Sequence, residues 1–329
     1  MTSADTLDGI GESATLARIF PRLPASSSQL LGPGDDCAVV AAPDGRFVVT
    51  TDMMIHGPDF RLAWSSPHDL GWKAAASNLA DVAAMGAVPT ALVVAIAAPA
   101  SSPVSLLEGI SDGLREGLAE LAPGSGVVGG DLSVSRTLTI TVTAFGDLEG
   151  RAPVLRSGAQ VGDIIAVAGV LGEAAAGLHL LFEQGIVDGE PDAAAAAVLR
   201  AQHPTLINAQ LAPRPPIFAG RIAALAGAHA MLDLSDGLAL DARRMARASG
   251  VAINLDSLAV GSRQALDGGE DHSLLAAFPA GATVPDEFRV IGVVQAPDDK
   301  RGPGLLVDGQ PYDALGGWDP YAGWNGEIG

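Results

Sequence analysis

The chain has 329 residues, 48% hydrophobic and only 17% charged, with a net charge of −19; that length and composition support a sizeable core and exclude disorder. The acidic balance opposes attraction to nucleic acid or to an anionic membrane surface, so no nucleic-acid partner and no membrane partner is expected, and a small anionic substrate would be held through metal ions. Cys37 is the single cysteine, which leaves no intrachain disulfide and no cysteine-rich zinc site and, with an acidic N-terminus, predicts a cytoplasmic protein.

In chain order, FVVTT (47–51) reads as a strand that ends at Asp52. Val48, Thr50 and Asp52 fall on one face, and Phe47, Val49 and Thr51 on the other. Ser66-Pro67-His68-Asp69 is a helix start, with Ser66 as N-cap, Pro67 at the first helical position and Asp69 in the first turn. Leu70, Ala74, Ser77, Asn78, Asp81 and Met85 follow at helical spacing, which puts Asp81 on the stripe that faces the protein, where a carboxylate needs a partner.

A strand at 90–97, a helix over 104–121 and an alternating strand over 136–146 complete a βα-rich first half, with Gly129-Gly130-Asp131 just ahead of that last strand. The apolar stretch near 90–100 is too short and too interrupted by proline to span a bilayer. The turn-rich stretch 147–163 breaks the periodicity and predicts a boundary between two domains, 1–149 and 150–329.

The second half repeats the alternation. DIIAVAG (163–169) is a strand, 171–182 a helix, 188–200 a variable segment ending in a helix, and the proline-rich 203–216 interrupts the pattern. MLDLSDGLALDARRMARASG (231–250) runs from a strand through a turn into a helix that stops at Gly250, with Asp233 and Asp236 at the junction. A strand from 251, the loop DGGEDHS (267–273), a strand near 289–294 and a Gly- and Trp-rich tail follow. The fold class expected is α/β (α+β).

Magnesium takes hard oxygen ligands and commonly bridges carboxylates to substrate phosphates. Asp36, Asp52, Asp81, Asp131, Asp233 and Asp236, each in an apolar or Gly-rich setting, suit that role. Two like charges ~4 Å apart repel by roughly 4 kcal/mol at an effective dielectric near 20, so convergence of such groups calls for cations. Taken singly, Asp35, Asp36 and Asp236 also read as turn or cap residues. No GxxxxGK[ST] or HRD…DFG set is present, and Lys73 and Lys300 are the only lysines, which excludes P-loop and protein-kinase mechanisms. The histidines show no zinc-binding pairing.

Taken in order, GDDCAVV, TTDMM, NLADVAAMGA, GGD, the RSG of VLRSGAQVGD, DLSDGL and GGED resemble the thiamine-monophosphate kinases. These belong to the ATP-binding superfamily typified by aminoimidazole ribonucleotide synthetase (PurM-like). The likeness runs from about 30 to 321. It implies a two-domain PurM-like fold: an N-terminal mixed sheet with helices that pairs with its copy in a homodimer, ATP near that interface, and a C-terminal α/β domain.

The resemblance further implies direct transfer of the γ-phosphoryl of ATP, as co-substrate, onto thiamine monophosphate, with several Mg2+ ions. Asp36, Thr50, Thr51, Asp52, Asp81, Asp131, Asp233 and Asp236 match metal positions, and Gly130, Asp131, Arg156 and Ser235 match nucleotide positions. Asp52, Asp131 and Arg156 are the candidate catalytic set, and Arg156 offers a cationic fork for the charge on the transferring group. Asp59, Glu270 and Trp318 match the substrate side, where acids and an aromatic ring suit a cationic thiazolium and a pyrimidine. Asp59 departs from the family, whose members commonly carry histidine there. Two other readings stay open: another enzyme of the superfamily, and a non-catalytic nucleotide or thiamine-phosphate sensor.

Overall fold

The structure is a computed structural model that describes residues 6–31, 39–314, 316 and 317. Helix α1 (Leu7–Ile19) and a hairpin of β1 (Gln29–Leu31) and β2 (Val39–Val40) lead into a four-stranded sheet. Its strands are β3 (Val48–Ile55), β4 (Val88–Ala98), β5 (Gly126–Val134) and β6 (Thr139–Asp147), in the order β3-β6-β4-β5. All pairs are antiparallel except β4 with β5, and that parallel pair is bridged by a crossover helix, as parallel strands require.

Helices α2 (Pro67–Ala84) and α3 (Val104–Leu121) cover one face of this sheet. The start of α2 is a capping box: the Ser66 side chain accepts from the Asp69 N–H while the Asp69 carboxylate accepts from the Ser66 N–H, and Pro67 takes the first turn. The helix is buried along nearly its whole length. It lies against α3 so closely that a Cβ at Gly71 would fall on the Ile110 carbonyl, and one at Gly113 on the His68 carbonyl.

Two details differ from the sequence expectation. β3 continues to Ile55, so Asp52 sits within the strand and not at its end; the methionines that follow extend the alternation. Gly129-Gly130-Asp131 is itself part of strand β5, because pairing with β4 supplies the order that two glycines would otherwise weaken.

The second half contains β7 (Ile164–Ala168), α4 (Glu173–Gln184), the hairpin β8 (Ile186–Val187) and β9 (Glu190–Pro191), α5 (Ala193–Gln202), α6 (Pro204–Leu211) and α7 (Ile217–Leu225). It continues with β10 (Ala230–Leu234), α8 (Leu238–Ser249), β11 (Ala252–Leu255), α9 (Ser257–Val260), α10 (Arg263–Asp267), β12 (Ser273–Phe278), β13 (Arg289–Gln295), β14 (Gly304–Val307) and β15 (Gln310–Pro311). Seven strands form one sheet in the order β10-β12-β7-β13-β11-β14-β15. α6 occupies the proline-rich stretch read as an interruption: Pro204 stands at its first turn, where a missing N–H costs nothing, and the helix ends before Pro213. α8 ends at Gly250 in the left-handed conformation (φ 70°), as its sequence predicts.

Period-two alternation sorts the layers. Ala166 and Ala168 of β7 join Leu274 and Phe278 in the core that also holds α2, α3 and the first sheet, while Ile165 and Val167 turn to a second core with α8. Helix α2 is thus shared by both sheets, and the polar residues on its length can reach groups from either half. Among the described residues no helix is long and apolar enough to cross a membrane.

Candidate active site

The carboxylates converge where α2 passes between β3 and the ends of β10 and β12. On β3, Thr50 donates its hydroxyl to Asp81 Oδ2 of α2 (2.7 Å), which gives the inward carboxylate its partner. Asn78, buried one turn earlier, accepts from the Asp52 N–H (3.1 Å) and donates to the Ala74 carbonyl, pinning the strand to the helix. Asp233 is the penultimate residue of β10, and Asp236 lies just beyond the strand on the turn into α8.

These charges act on one another. Burial pushes the Asp81 carboxyl up to about 7, with Asp233 and Asp52 adding to the rise and the Thr50 hydroxyl opposing it. Asp52 is raised by burial, a rise to which Asp233, Glu270 and Asp236 contribute while His272 opposes it. Crowded oxygen donors of this kind, hard and mutually repelling, fit a divalent cation such as magnesium. Among the described residues, however, no three His, Cys, Asp or Glu side chains come close enough to share one ion.

Asp236 already has a cation: Arg244 of α8 donates to it and to Asp241 (2.6 Å each). Asp241 in turn accepts from the Asp236 and Gly237 N–H groups, holding the turn at which Gly237 has φ 119°. Burial raises the Asp241 carboxyl to about 6, with Asp233 adding and Arg244 opposing. The Ser235 carbonyl accepts from the Glu270 N–H (2.7 Å), so the turn 235–237 and the loop 267–273 are laced together.

That second loop carries two non-glycine residues in left-handed conformations, Glu270 (φ 72°) and His272 (φ 51°), a strain that tends to accompany functional positions. Glu270 forms an ion pair with the buried Lys73 of α2 (2.5 Å). Burial would raise the Glu270 carboxyl, but Lys73 and then His272 hold it below the usual range. His272 is buried, with Nε2 3.2 Å from Ser77 Oγ. Since that hydroxyl donates to the Lys73 carbonyl, Nε2 carries the proton between them. Among the described residues its Nδ1 has no hydrogen-bond partner, and it stands 3.5 Å from Asp233 Oδ2. Burial would lower this imidazole, yet Asp233 and Glu270 raise it.

Lys73 and Glu270 also line a pocket of about 470 Å³, walled by Asp59, Phe60, Arg61, Trp64, Phe182 and Gly269 among others. That volume suits a small heterocyclic ligand. Asp59 Oδ2 accepts from the Ile55 N–H (2.7 Å), and burial raises its carboxyl, with Glu270 adding and Lys73 opposing.

The remaining residues singled out in the sequence lie elsewhere. Sheet register puts Asp52, Val142, Val94 and Gly130 in one cross-strand row, and Met53, Thr141, Ala95 and Asp131 in the next. By alternation Asp131 and Thr51 therefore face away from α2, on the outer side of the sheet; Thr51 donates to the Val142 carbonyl and receives from Thr143 Oγ1. Arg156 is exposed on the connection between the sheets. Asp36 and Trp318 lie outside the described residues. Lys73, Asn78, Asp241 and His272 were not singled out as site residues. Asn78 fell on the inward stripe with Asp81, and His272 lies within GGEDHS, but nothing local marks Lys73 or Asp241.

Two family models match the chain, the N-terminal domain of AIR synthase related proteins over residues 34–148 and their C-terminal domain over 160–300. A thiamine-monophosphate kinase of Mycobacterium tuberculosis is 43% identical, covering 97% of this chain and 94% of that protein. One of Corynebacterium glutamicum is 40% identical, covering 79% and 80%. Among solved structures, thiamine-monophosphate kinase from Stenotrophomonas maltophilia K279a superposes with a TM-score of 0.72 at 31% identity, covering 91% of this chain and 96% of that one. A structure described as AaThiL complexed with AMPPCP and TMP superposes at 0.71 and 31%, covering 86% and 90%. With the two-layered fold and the convergent carboxylates, these likenesses establish that the chain belongs to the thiamine-monophosphate kinase family of AIR synthase related proteins.

Proposed function

We propose that the chain phosphorylates thiamine monophosphate with ATP. An oxygen of the acceptor phosphate attacks the γ-phosphorus, the bond from that phosphorus to the bridging oxygen of ADP breaks, and thiamine diphosphate and ADP leave without a phosphoenzyme. The observation that carries this reading is that Asp52 and Asp81, held by Asn78 and Thr50 on either side of the β3–α2 contact, interact electrostatically with one another and with Asp233 next to a pocket lined by the Lys73–Glu270 pair. Such a transfer needs little covalent help from protein, so positioning and electrostatic stabilisation carry it.

Magnesium bound here would neutralise phosphate charge and align the two phosphates. Asp52, Asp81, Asp233 and Asp236, with Thr50, are the residues proposed to hold it on the α2 side, and the mutual charge effects among Asp52, Asp81, Asp233 and Asp236 support that assignment. Asp36 is proposed as a further ligand, and Thr51 and Asp131, on the outer face of the sheet, are proposed to hold metal separately there. Asp81 is kept in place by Thr50, and Asp52 by Asn78. Gly130, Asp131, Arg156 and Ser235 are proposed for the nucleotide. Glu270, with Asp59 beside it and Trp318 on the tail, is proposed for the thiamine side, the acids facing its thiazolium charge. Asp59 can meet that cation while still accepting from the Ile55 N–H, since a carboxylate has a second oxygen to offer.

Two further proposals concern organisation. The division into domains 1–149 and 150–329 is supported by the separate sheets on either side of it. A homodimer formed through the outer face of the first sheet is supported by that face's exposed Phe47, Val49 and Met53. The activity is tested by ADP release with Mg-ATP and, in parallel, thiamine monophosphate, thiamine and an aminoimidazole ribonucleotide precursor. Release with the monophosphate alone is expected; tight ATP binding with no release would instead select a sensor.

A further inference from the structure

Arg61 follows the turn after β3, and its guanidinium carbon lies 4.9 Å from the Trp64 ring centroid and 4.7 Å from that of Phe182. The two rings stand perpendicular (88°) with centroids 5.2 Å apart, forming a notch in the pocket wall. The notch is fixed: Trp64 is buried and its Nε1 donates to the Gly185 carbonyl (2.9 Å). Aromatic faces hold a cation by attraction to the ring quadrupole and leave its N–H donors unspent.

Arg61 is half-buried and has no ion-pair partner among the described residues, whereas Arg200, comparably buried, is clamped to Asp69 by two hydrogen bonds. Burial lowers the pKa of Arg61, and among the described residues no carboxylate acts against it. The other charges of the pocket sit together: Glu270 raises and Lys73 lowers the Asp59 carboxyl, and Lys73 lowers that of Glu270, while Arg61 acts on His56 instead. Among the described lining residues, the interacting Asp59, Glu270 and Lys73 therefore form one group, and the guanidinium of Arg61, seated over Trp64 and Phe182, stands apart from it.

That separation matches the substrate proposed above, on which this inference rests. Thiamine monophosphate has its phosphate at one end, a cationic ring next to it, and an uncharged pyrimidine with ring-nitrogen acceptors at the far end. A guanidinium repels the thiazolium and offers hydrogen bonds to the pyrimidine nitrogens. We infer that Arg61 is a specificity-determining residue that recognises the pyrimidine ring, donating to a ring nitrogen from the Trp64–Phe182 notch and so orienting the phosphate toward the carboxylates.

The test is steady-state kinetics of Arg61→Met and Arg61→Lys with thiamine monophosphate, alongside inhibition by an N-methylthiazolium phosphate fragment that keeps the cation and the phosphate but lacks the pyrimidine. Arg61→Met should raise KM for thiamine monophosphate roughly ten- to a hundredfold, the range of one hydrogen bond from a charged donor. Its kcat and its inhibition constant for the fragment should stay within about twofold of wild type. Arg61→Lys should recover part of the loss. Equal weakening of substrate and fragment, an unchanged KM, or a fall in kcat at constant KM would each overturn the assignment. If Arg61→Met does not fold, Arg61→Lys carries the same comparison, with KM raised and the fragment unaffected. Failure of the underlying reading is distinguishable, since wild type would then release no ADP with thiamine monophosphate.

Discussion

Asp81 carries the largest penalty at the site. Its carboxyl titrates near 7 in the folded chain against 3.8 unperturbed, so between those values the folded state binds more protons than the unfolded one. Stability then falls as pH rises through that window and levels off above about 7. Without magnesium, the thermal midpoint of wild type should decline from pH 4 toward pH 7 more steeply than that of Asp81→Asn, which removes the charge but keeps a partner for Thr50. Added magnesium should raise the midpoint of wild type more than that of the variant. A parallel pH dependence for the two proteins would remove Asp81 as the source. Asp52→Asn should lower turnover by roughly a hundredfold or more, the scale of losing one preorganised electrostatic contact, with an unchanged or higher midpoint, because Asp52 too is raised, by burial first and then by Asp233, Glu270 and Asp236.

The element that organises the site is α2. Its entry serves two purposes: Asp69 caps Ser66 and also receives both ends of the Arg200 guanidinium (2.8 and 2.9 Å), tying α2 to α5. Burial would raise the Asp69 carboxyl, but Arg200 and Ser66 outweigh it and hold it below 3.8, so its stabilisation is present above that pH and is lost as pH falls through the folded value. Asp69→Ala keeps the Ser66 N-cap but removes the reciprocal half of the capping box and strands Arg200, for a loss of about 2–3 kcal/mol, discounted because Arg200 stays partly solvated. Arg200→Met keeps the cap and should lose less; urea denaturation of both variants checks the order. Ser66, Pro67, Asp69 and the inward Asp81 were legible because their signals lie within one or two turns of chain. The second role of Asp69 was not, since Arg200 comes 131 residues later. The same holds for Lys73, whose partner Glu270 belongs to the other half, and for Asp241, which looks like an ordinary first-turn acid until Arg244 and the Asp236 turn are placed around it. Chain order singled out Asp69, Glu270 and Asp236; packing shows which cations they meet.

At the scale of the molecule, the residues singled out for metal and nucleotide divide between two faces of one four-stranded sheet. Thr50, Asp52 and Asp81 face the second half of the same chain, while Thr51 and Asp131 lie on the outer face that also carries Val49 and Met53, each 56% exposed, with Asp131 on the edge strand opposite β3. An apolar outer face of this kind is poorly suited to water, and if a second copy covers it, Thr51 and Asp131 become interface residues and one chain alone lacks part of its nucleotide site. The paired substitution Val49→Lys with Met53→Lys charges that face without touching the α2 side. It should convert a dimer in sedimentation velocity to a monomer, leave helix content unchanged by circular dichroism, and reduce ATP turnover, as Asp131→Asn should also do. Thiamine-phosphate binding in the Lys73–Glu270 pocket should persist, because that pocket is walled by α2, α4 and the 58–65 and 267–270 loops of a single chain. A monomer with full turnover would show that the outer face takes no part in the reaction, and a variant that stays dimeric would place the contact elsewhere on the surface.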